Sequence, residues 1–288
     1  MPQIVRIALA QTAHIETFAS GGFEHQLRAL VERHPGFDLW VFPEFHLEPD
    51  QAHKPNFPLA RAVDDAAFAR LGALARELGI WLVPGTVYER AASGDVHNTA
   101  LVYSPDGERV ASYRKMFPWR PAELSHPGGT FEVFEVPGIG RIGLSICYDI
   151  WFPEHTRHLA WLGADLVLNL VQTGTSDREQ ELTIVRGNAI MNQVWVASVN
   201  AAAPTGRGRS LIADPAGTVV ASSPDASEEI LTAVIDLGAA ARVQTEGTAG
   251  VSRPWHQFRD PDATIPLPLY AGEIAPSRWT PSRGEGIR

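Results

Sequence analysis

Five consecutive segments decide the fold: RIGLSIC (141–147), PEHTRHLAWL (153–162), DLVLNLV (165–171), REQELTIVRGNAIMNQ (178–193) and VWVASVN (194–200). The first, third and fifth are apolar runs of strand length. The second and fourth carry helical patterns. Pro153 suits a first helical turn, where its missing N–H would have no partner anyway. Strands that alternate with helices predict an α/β protein with its sheets covered on their faces.

The same alternation extends in both directions. Upstream, residues 4–10 read as a strand, and 23–34 as a helix with Leu27, Leu30 and Val31 on one face. Residues 38–42 form a strand that ends at Pro43. A helix over 63–78 opens at Asp64 and Asp65 and stops at Gly79. Residues 80–87 and 99–103 read as strands. The second of these runs into the turn Ser104-Pro105-Asp106-Gly107. Residues 131–136 pair with 141–147 as a hairpin across Pro137-Gly138-Ile139-Gly140. The glycines from Gly138 to Gly143 imitate a dinucleotide fingerprint, but they precede a strand and open no helix. Downstream, 210–213 pairs with 218–221 across Asp214-Pro215-Ala216-Gly217, and a strand at 230–235 follows. No linker rich in Gly, Ser or Pro separates the halves, which predicts one domain over residues 1–241. From Arg242 the pattern fades into a tail, 242–288, containing Pro254, Pro261, Pro266, Pro268, Pro276 and Pro281. That tail is expected either to move freely or to pack on a partner subunit.

Composition narrows the functions. The chain has 288 residues, 44% hydrophobic and 20% charged, which excludes disorder as the main state. A net charge of -9 gives no electrostatic footprint for nucleic acid or anionic membrane. The single cysteine, Cys147, excludes an intrachain disulfide and a cysteine-based metal cluster. His155 and His158 share a helical face but have no third ligand at matching spacing, so no metal is expected. The N-terminal residues lack a basic segment followed by a long apolar one, and no run approaches bilayer length. A soluble cytoplasmic protein is the expectation. Of 24 basic residues only Lys54 and Lys115 are lysines, so only these offer a compact amine with adjustable proton affinity.

Three polar residues end apolar strands: Glu44 after Leu39-Trp40-Val41-Phe42-Pro43, Lys115 after Val110-Ala111-Ser112-Tyr113-Arg114, and Cys147 after Ile142-Gly143-Leu144-Ser145-Ile146. Functional groups of α/β sheets collect beyond strand carboxyl ends. A thiol needs a base to become a strong nucleophile, a carboxylate can take its proton, and an ammonium can hold charge on a substrate oxygen. No spacing requires the three to meet. Each alone also reads as an inert core thiol, a turn carboxylate or a solvated edge charge.

These segments resemble the nitrilase superfamily of carbon–nitrogen hydrolases, whose catalytic set is Glu, Lys and Cys. The resemblance is carried by Phe42-Pro43-Glu44-Phe45, by Tyr113-Arg114-Lys115-Met116, and by Ser145-Ile146-Cys147-Tyr148-Asp149 running on to Phe152-Pro153-Glu154. It covers residues 4 to about 237. It implies a four-layer αββα sandwich that assembles as a homodimer or higher homo-oligomer, with no cofactor. It also implies a second active-site glutamate at Glu123, ahead of Pro127-Gly128-Gly129, in a spacing most like the aliphatic amidase branch. Tyr148-Asp149 after the cysteine points to amides rather than nitriles. Ile150 and Trp151 replace the arginine that grips carboxylated substrates in some members. Trp119, Tyr148 and Trp151 are candidate pocket residues, with Gln172 and Thr173, just past the strand 165–171, weaker ones. The implied reaction is hydrolysis of a small carboxamide by water to an acid and ammonia. An N-carbamoyl amine hydrolase, which Trp151 favours, a nitrilase, and a homologue with a vestigial site are the alternatives.

Overall fold

The computed structural model describes residues 3–15, 18, 21–47 and 57–268, and the backbone of 272–274. Lys54, Pro276 and Pro281 lie outside the described residues. The first sheet holds β1 (Ile4–Gln11), β2 (Leu39–Val41), β3 (Trp81–Val83), β4 (Thr86–Arg90), β5 (Val96–Tyr103) and β6 (Arg109–Arg114), in the order β13-β1-β2-β3-β5-β4 with β6 on β5. Its outer strand β13 is Glu229–Asp236. The second sheet has the order β12-β11-β10-β9-β8-β7. It is built from β7 (Val133–Val136), β8 (Gly140–Ile146), β9 (Leu166–Val171), β10 (Trp195–Asn200), β11 (Leu211–Ala213) and β12 (Val219–Ser222).

At the centre of each sheet the strands are parallel, β1-β2-β3 in one and β8-β9-β10 in the other. Helices α1 (Gly22–Arg33) and α2 (Ala66–Leu78) precede β2 and β3; α3 (Pro153–Trp161) and α4 (Arg178–Asn192) precede β9 and β10. Parallel neighbours require such crossovers, so the alternation that the sequence shows dictates this part of the topology.

Period-2 patterning sorts the side chains into layers. Ile7, Leu9 and Val41 of the first sheet meet Ile142, Leu144, Leu168 and Val199 of the second in one buried cluster. The opposite face of the first sheet packs Ala8, Trp40 and Leu82 against Phe23 and Leu27 of α1 and Phe68 and Leu71 of α2. The opposite face of the second packs Val167 and Val196 against Leu159 of α3 and Val185 of α4. The result is the αββα sandwich expected from the resemblance. The 138–143 glycine run is a hairpin turn, with Val136 opposite Gly140.

Two readings differ from the structure. Residues 80–87 are two strands, because the chain turns at Pro84-Gly85. Gly85 adopts φ +96°, and a Cβ there would lie 2.2 Å from the Pro43 carbonyl oxygen. Only glycine permits this approach, which seats the turn against the loop bearing Glu44. Nor does the pattern end at residue 241, since α5 (Gly238–Glu246) runs through it. Its small residues Gly238, Ala239 and Ala240 gave a weak signal. Beyond it, Trp255 is buried against Trp161 of α3, and its indole N–H donates to Asn192 O at 3.1 Å. No described helix is long and apolar enough to cross a membrane.

Candidate active site

Glu44, Lys115, Glu123 and Cys147 line one cavity of about 100 Å³. The sheets meet there at the carboxyl ends of β2, β6 and β8, the last residues of which are Val41, Arg114 and Ile146. Lys115 is only 2% exposed, and Glu44 and Glu123 are buried with it. Its Nζ donates to Glu44 Oε1 at 3.0 Å and to Glu123 Oε2 at 2.7 Å. An ammonium has three N–H donors. Two go to these carboxylates.

The carboxylates are themselves held. Asn98 Nδ2 donates to Glu44 Oε1 at 2.8 Å and to Glu123 Oε1 at 3.2 Å. The backbone N–H of Gln172 donates to Glu44 Oε2 at 3.1 Å. Ser125 Oγ and the Trp119 N–H complete the shell of Glu123. The Pro127-Gly128 pair has a steric reason. A Cβ on Gly128 would sit 2.1 Å from Arg114 O, and the Gly128 N–H donates to Lys115 O at 2.7 Å. That strap fixes the backbone of Lys115.

Cys147 follows β8 with φ +48°, a left-handed conformation for a non-glycine residue. Such positions store about 1–3 kcal/mol of strain and need over-determination by their surroundings. Asp149 supplies it. Its Oδ2 accepts the Ile146 N–H at 2.9 Å and the Tyr113 hydroxyl at 2.7 Å, and its Oδ1 accepts the Phe117 N–H at 2.8 Å. The same carboxylate therefore ties the cysteine turn to the residues on either side of Lys115. His155 Nε2 lies 2.7 Å from the Tyr113 hydroxyl. His155 thus belongs to this buried network, while His158 stacks on Phe131.

The charges tune one another. Burial pushes the Glu44 carboxyl up to about 7, against the opposing pull of Lys115. Glu123 stays below the usual carboxylate range, because Lys115 and its hydrogen bonds outweigh burial. Burial and the nearby Glu44 charge raise the Cys147 thiol well above its ordinary value. Glu123 and Lys115 form the tighter pair, and Glu44 is left as a base poised near neutrality beside a neutral thiol.

Of the other expected pocket residues, Tyr148, Trp119 and Gln172 line the cavity. Trp119 is 46% exposed and stands at the mouth. Trp151 does not line it. Its ring packs with the cluster under α3 and α4, and its Nε1 reaches Glu181 Oε1 at 3.5 Å. It lies at the end of a 3-10 turn over Cys147–Trp151, with its ring 5.9 Å from that of Tyr148.

Sequence reading missed Glu181 and Asn98. Glu181 lines the cavity, and Asn98 bridges the two carboxylates. Two signals were present. Glu181 shares a helical face with the buried Val185, Asn188 and Asn192. Asn98 lies mid-strand among fully buried neighbours, where an amide needs partners.

The family model for carbon–nitrogen hydrolases matches residues 6–245. The chain belongs to the carbon–nitrogen hydrolase family. Among curated relatives, it is 30% identical over 172 residues to a formamidase of Nitratidesulfovibrio vulgaris, covering 59% of this chain and 52% of the relative. The chain spans about half the length of the curated relatives it matches. Among solved structures, a carbon–nitrogen hydrolase of Helicobacter pylori superposes with TM-score 0.75 at 27% identity, covering 84% of this chain and 92% of that one. An amidase of Nesterenkonia sp. AN1 superposes with TM-score 0.70 at 25% identity, covering 83% and 93%. A mutant of that amidase carries the acetamide moiety of fluoroacetamide covalently at its active-site cysteine. The nitrilase-superfamily resemblance read from three short motifs therefore extends over most of this carbon–nitrogen hydrolase.

Proposed function

We propose that the protein hydrolyses a small carboxamide to the carboxylic acid and ammonia through a thioester on Cys147. The observation that carries this reading is a thiol, a buried ammonium and the two carboxylates bound to that ammonium, Glu44 and Glu123, around a single small cavity. Glu44 removes the Cys147 proton as sulfur attacks the carbonyl carbon. The developing oxyanion is held by the remaining N–H of Lys115 and by the backbone N–H of Tyr148. Glu44 returns the proton to the departing ammonia, leaving the acyl group on sulfur. Water, deprotonated by Glu44, then releases the acid. Glu123 and Asn98 keep the ammonium and the base in register. A cavity of about 100 Å³ is small beside the several hundred that drug-sized ligands occupy, which supports a short acyl group.

The carbamoyl-amine alternative drew its support from Trp151, which bonds a lining residue, Glu181, but does not itself line the cavity, so that support is weaker. A panel of short amides, ureido compounds and nitriles, read by ammonia release, tests the proposal. Turnover of amides is expected. Preference for ureido compounds or nitriles rejects the reading.

The pH dependence follows from the raised base. Glu44 must be ionised in the free enzyme, and burial pushes it up to about 7. We expect kcat/KM to fall about tenfold per unit below roughly pH 7. A limb near 4.5, the value of an ordinary glutamate, would show that Glu44 is not the titrating base.

A further inference from the structure

A second buried ion pair, between Arg178 and Glu181, reaches the same cavity and takes no part in the mechanism above. Arg178 and Glu181 are each 2% exposed. Arg178 Nη1 donates to Glu181 Oε2 at 3.0 Å, and its Nε and Nη2 are held by Gly208 O and Arg209 O. Glu181 Oε1 accepts the Thr173 hydroxyl at 2.9 Å and faces the Trp151 indole N–H at 3.5 Å. Thr173 Oγ1 in turn lies 3.8 Å from Cys147 Sγ, and both Thr173 and Glu181 line the cavity.

A threonine hydroxyl carries one proton. Here Glu181 holds it, so Thr173 faces the cavity as an acceptor. Its backbone is fixed as well, because the Thr173 N–H donates to Asn200 Oδ1 at 2.9 Å and Asn200 Nδ2 donates back to Thr173 O at 3.2 Å. The adjoining Gln172 N–H donates to Glu44 Oε2, whereas Lys115 binds Oε1. The 172–173 segment therefore lies beside the base. That is also where a leaving amine must sit to receive its proton. Atoms bonded to a carbon under attack come within about 3 Å of the sulfur. An acceptor 3.8 Å from that sulfur is within reach of the amide nitrogen.

We propose that Thr173, oriented by Glu181 and Arg178, accepts an N–H of the substrate's amide nitrogen and thereby selects primary amides over esters of the same acid. This rests on the amidase reading above. A primary amide has two N–H donors, one for Glu44 and one for Thr173. An ester has none, and its oxygen would face the lone pairs of Thr173 with no hydrogen bond. A site built to pair a polar group discriminates strongly against an analogue lacking it.

The test compares a primary amide with the nitrophenyl ester of the same acid in wild type, Thr173→Val and Thr173→Ser. Thr173→Val is expected to lower the amide-to-ester ratio of kcat/KM by roughly tenfold to a hundredfold, the range for one lost hydrogen bond in a buried site. Thr173→Ser should recover most of it. Glu181→Gln, which frees the hydroxyl to rotate, should move the ratio in the same direction. In a Cys147→Ala background, the dissociation constant of the amide should rise with Thr173→Val while that of the ester does not. This keeps the idea open to refutation if ester turnover is too slow to follow. Equal losses on both substrates, or an unaffected amide, overturn the proposal while leaving the amidase reading standing. A wild-type enzyme that releases no ammonia from any amide overturns both.

Discussion

Cys147→Ala is expected to lower ammonia release by at least about ten-thousand-fold, the scale seen when a covalent nucleophile is removed. The reason lies in how little else the site offers. Glu44 and Lys115 would still bind a carbonyl and activate water, but the chain has no second thiol. The chain has one cysteine, so any thioester formed by a thiol can only be at this position. Mass spectrometry of the wild type during turnover should therefore find the acyl group on the peptide containing Cys147. Retained turnover in the variant, or an adduct on another peptide, would sink the assignment. The fold should survive the change. The left-handed turn is held by Asp149 and its donors Ile146, Phe117 and Tyr113, none of which depends on sulfur.

Lys115→Met has the second large expected effect, and it falls on both rate and stability. Removing the ammonium deletes an oxyanion donor, which costs about a hundredfold to a thousandfold in kcat. It also leaves Glu44 and Glu123 buried and facing each other across an apolar chain. Breaking a buried pair in this way costs about 3–5 kcal/mol. Denaturant unfolding at neutral pH should show the loss. The sign of its pH dependence can be worked out. Lys115 is raised above its ordinary value, so its stabilising charge is fully present throughout the acid range. The carboxylates it serves change instead. Glu44 titrates near 7 and Glu123 below 4.5, so acidification neutralises first one and then the other. The stability gap between wild type and Lys115→Met should therefore narrow as pH falls from 7 towards 4. A constant gap would mean that the carboxylates are not paired with Lys115 in solution. Lys115→Arg retains the charge but not the compact donor, and wild-type turnover in that variant would refute the oxyanion role.

The α/β alternation was readable because its cause is local, while the four layers came from the resemblance. Each strand of 141–200 announces itself by an apolar run, and each helix by its periodicity. Parallel pairing with helical crossovers then leaves few arrangements. Glu44, Lys115 and Cys147 stood out for a similar reason, as polar residues at the ends of apolar strands, and the motif resemblance joined them. The division of 80–87 into two strands was not readable, because it depends on how closely Gly85 approaches Pro43 across the sheet. Whether Trp151 lines the cavity was not readable either, because it depends on packing against Glu181 and the cluster of α3 and α4. In the sequence Glu181 resembles its exposed neighbours in an acidic helix start, and only the packing of α4 on the sheet turns it towards the cysteine.

The amino-acid sequence by itself determined the alternation of strands and helices, the strand ends that carry Glu44, Lys115 and Cys147, and the inventory of thiol, carboxylates and ammonium, while the layer order came from the family resemblance. Periodicity, turn chemistry and strand termination are properties of neighbouring residues, and they survive without knowledge of distant contacts. The tertiary structure alone decided which groups touch. Lys115 meets Glu44 across 71 residues, and Gln172 meets Glu44 across 128. Burial, against the pull of Lys115, raises Glu44 to about 7, and a separate contact with Glu181 holds the Thr173 hydroxyl proton. Burial and electrostatics depend on three-dimensional distance, which sequence separation does not encode.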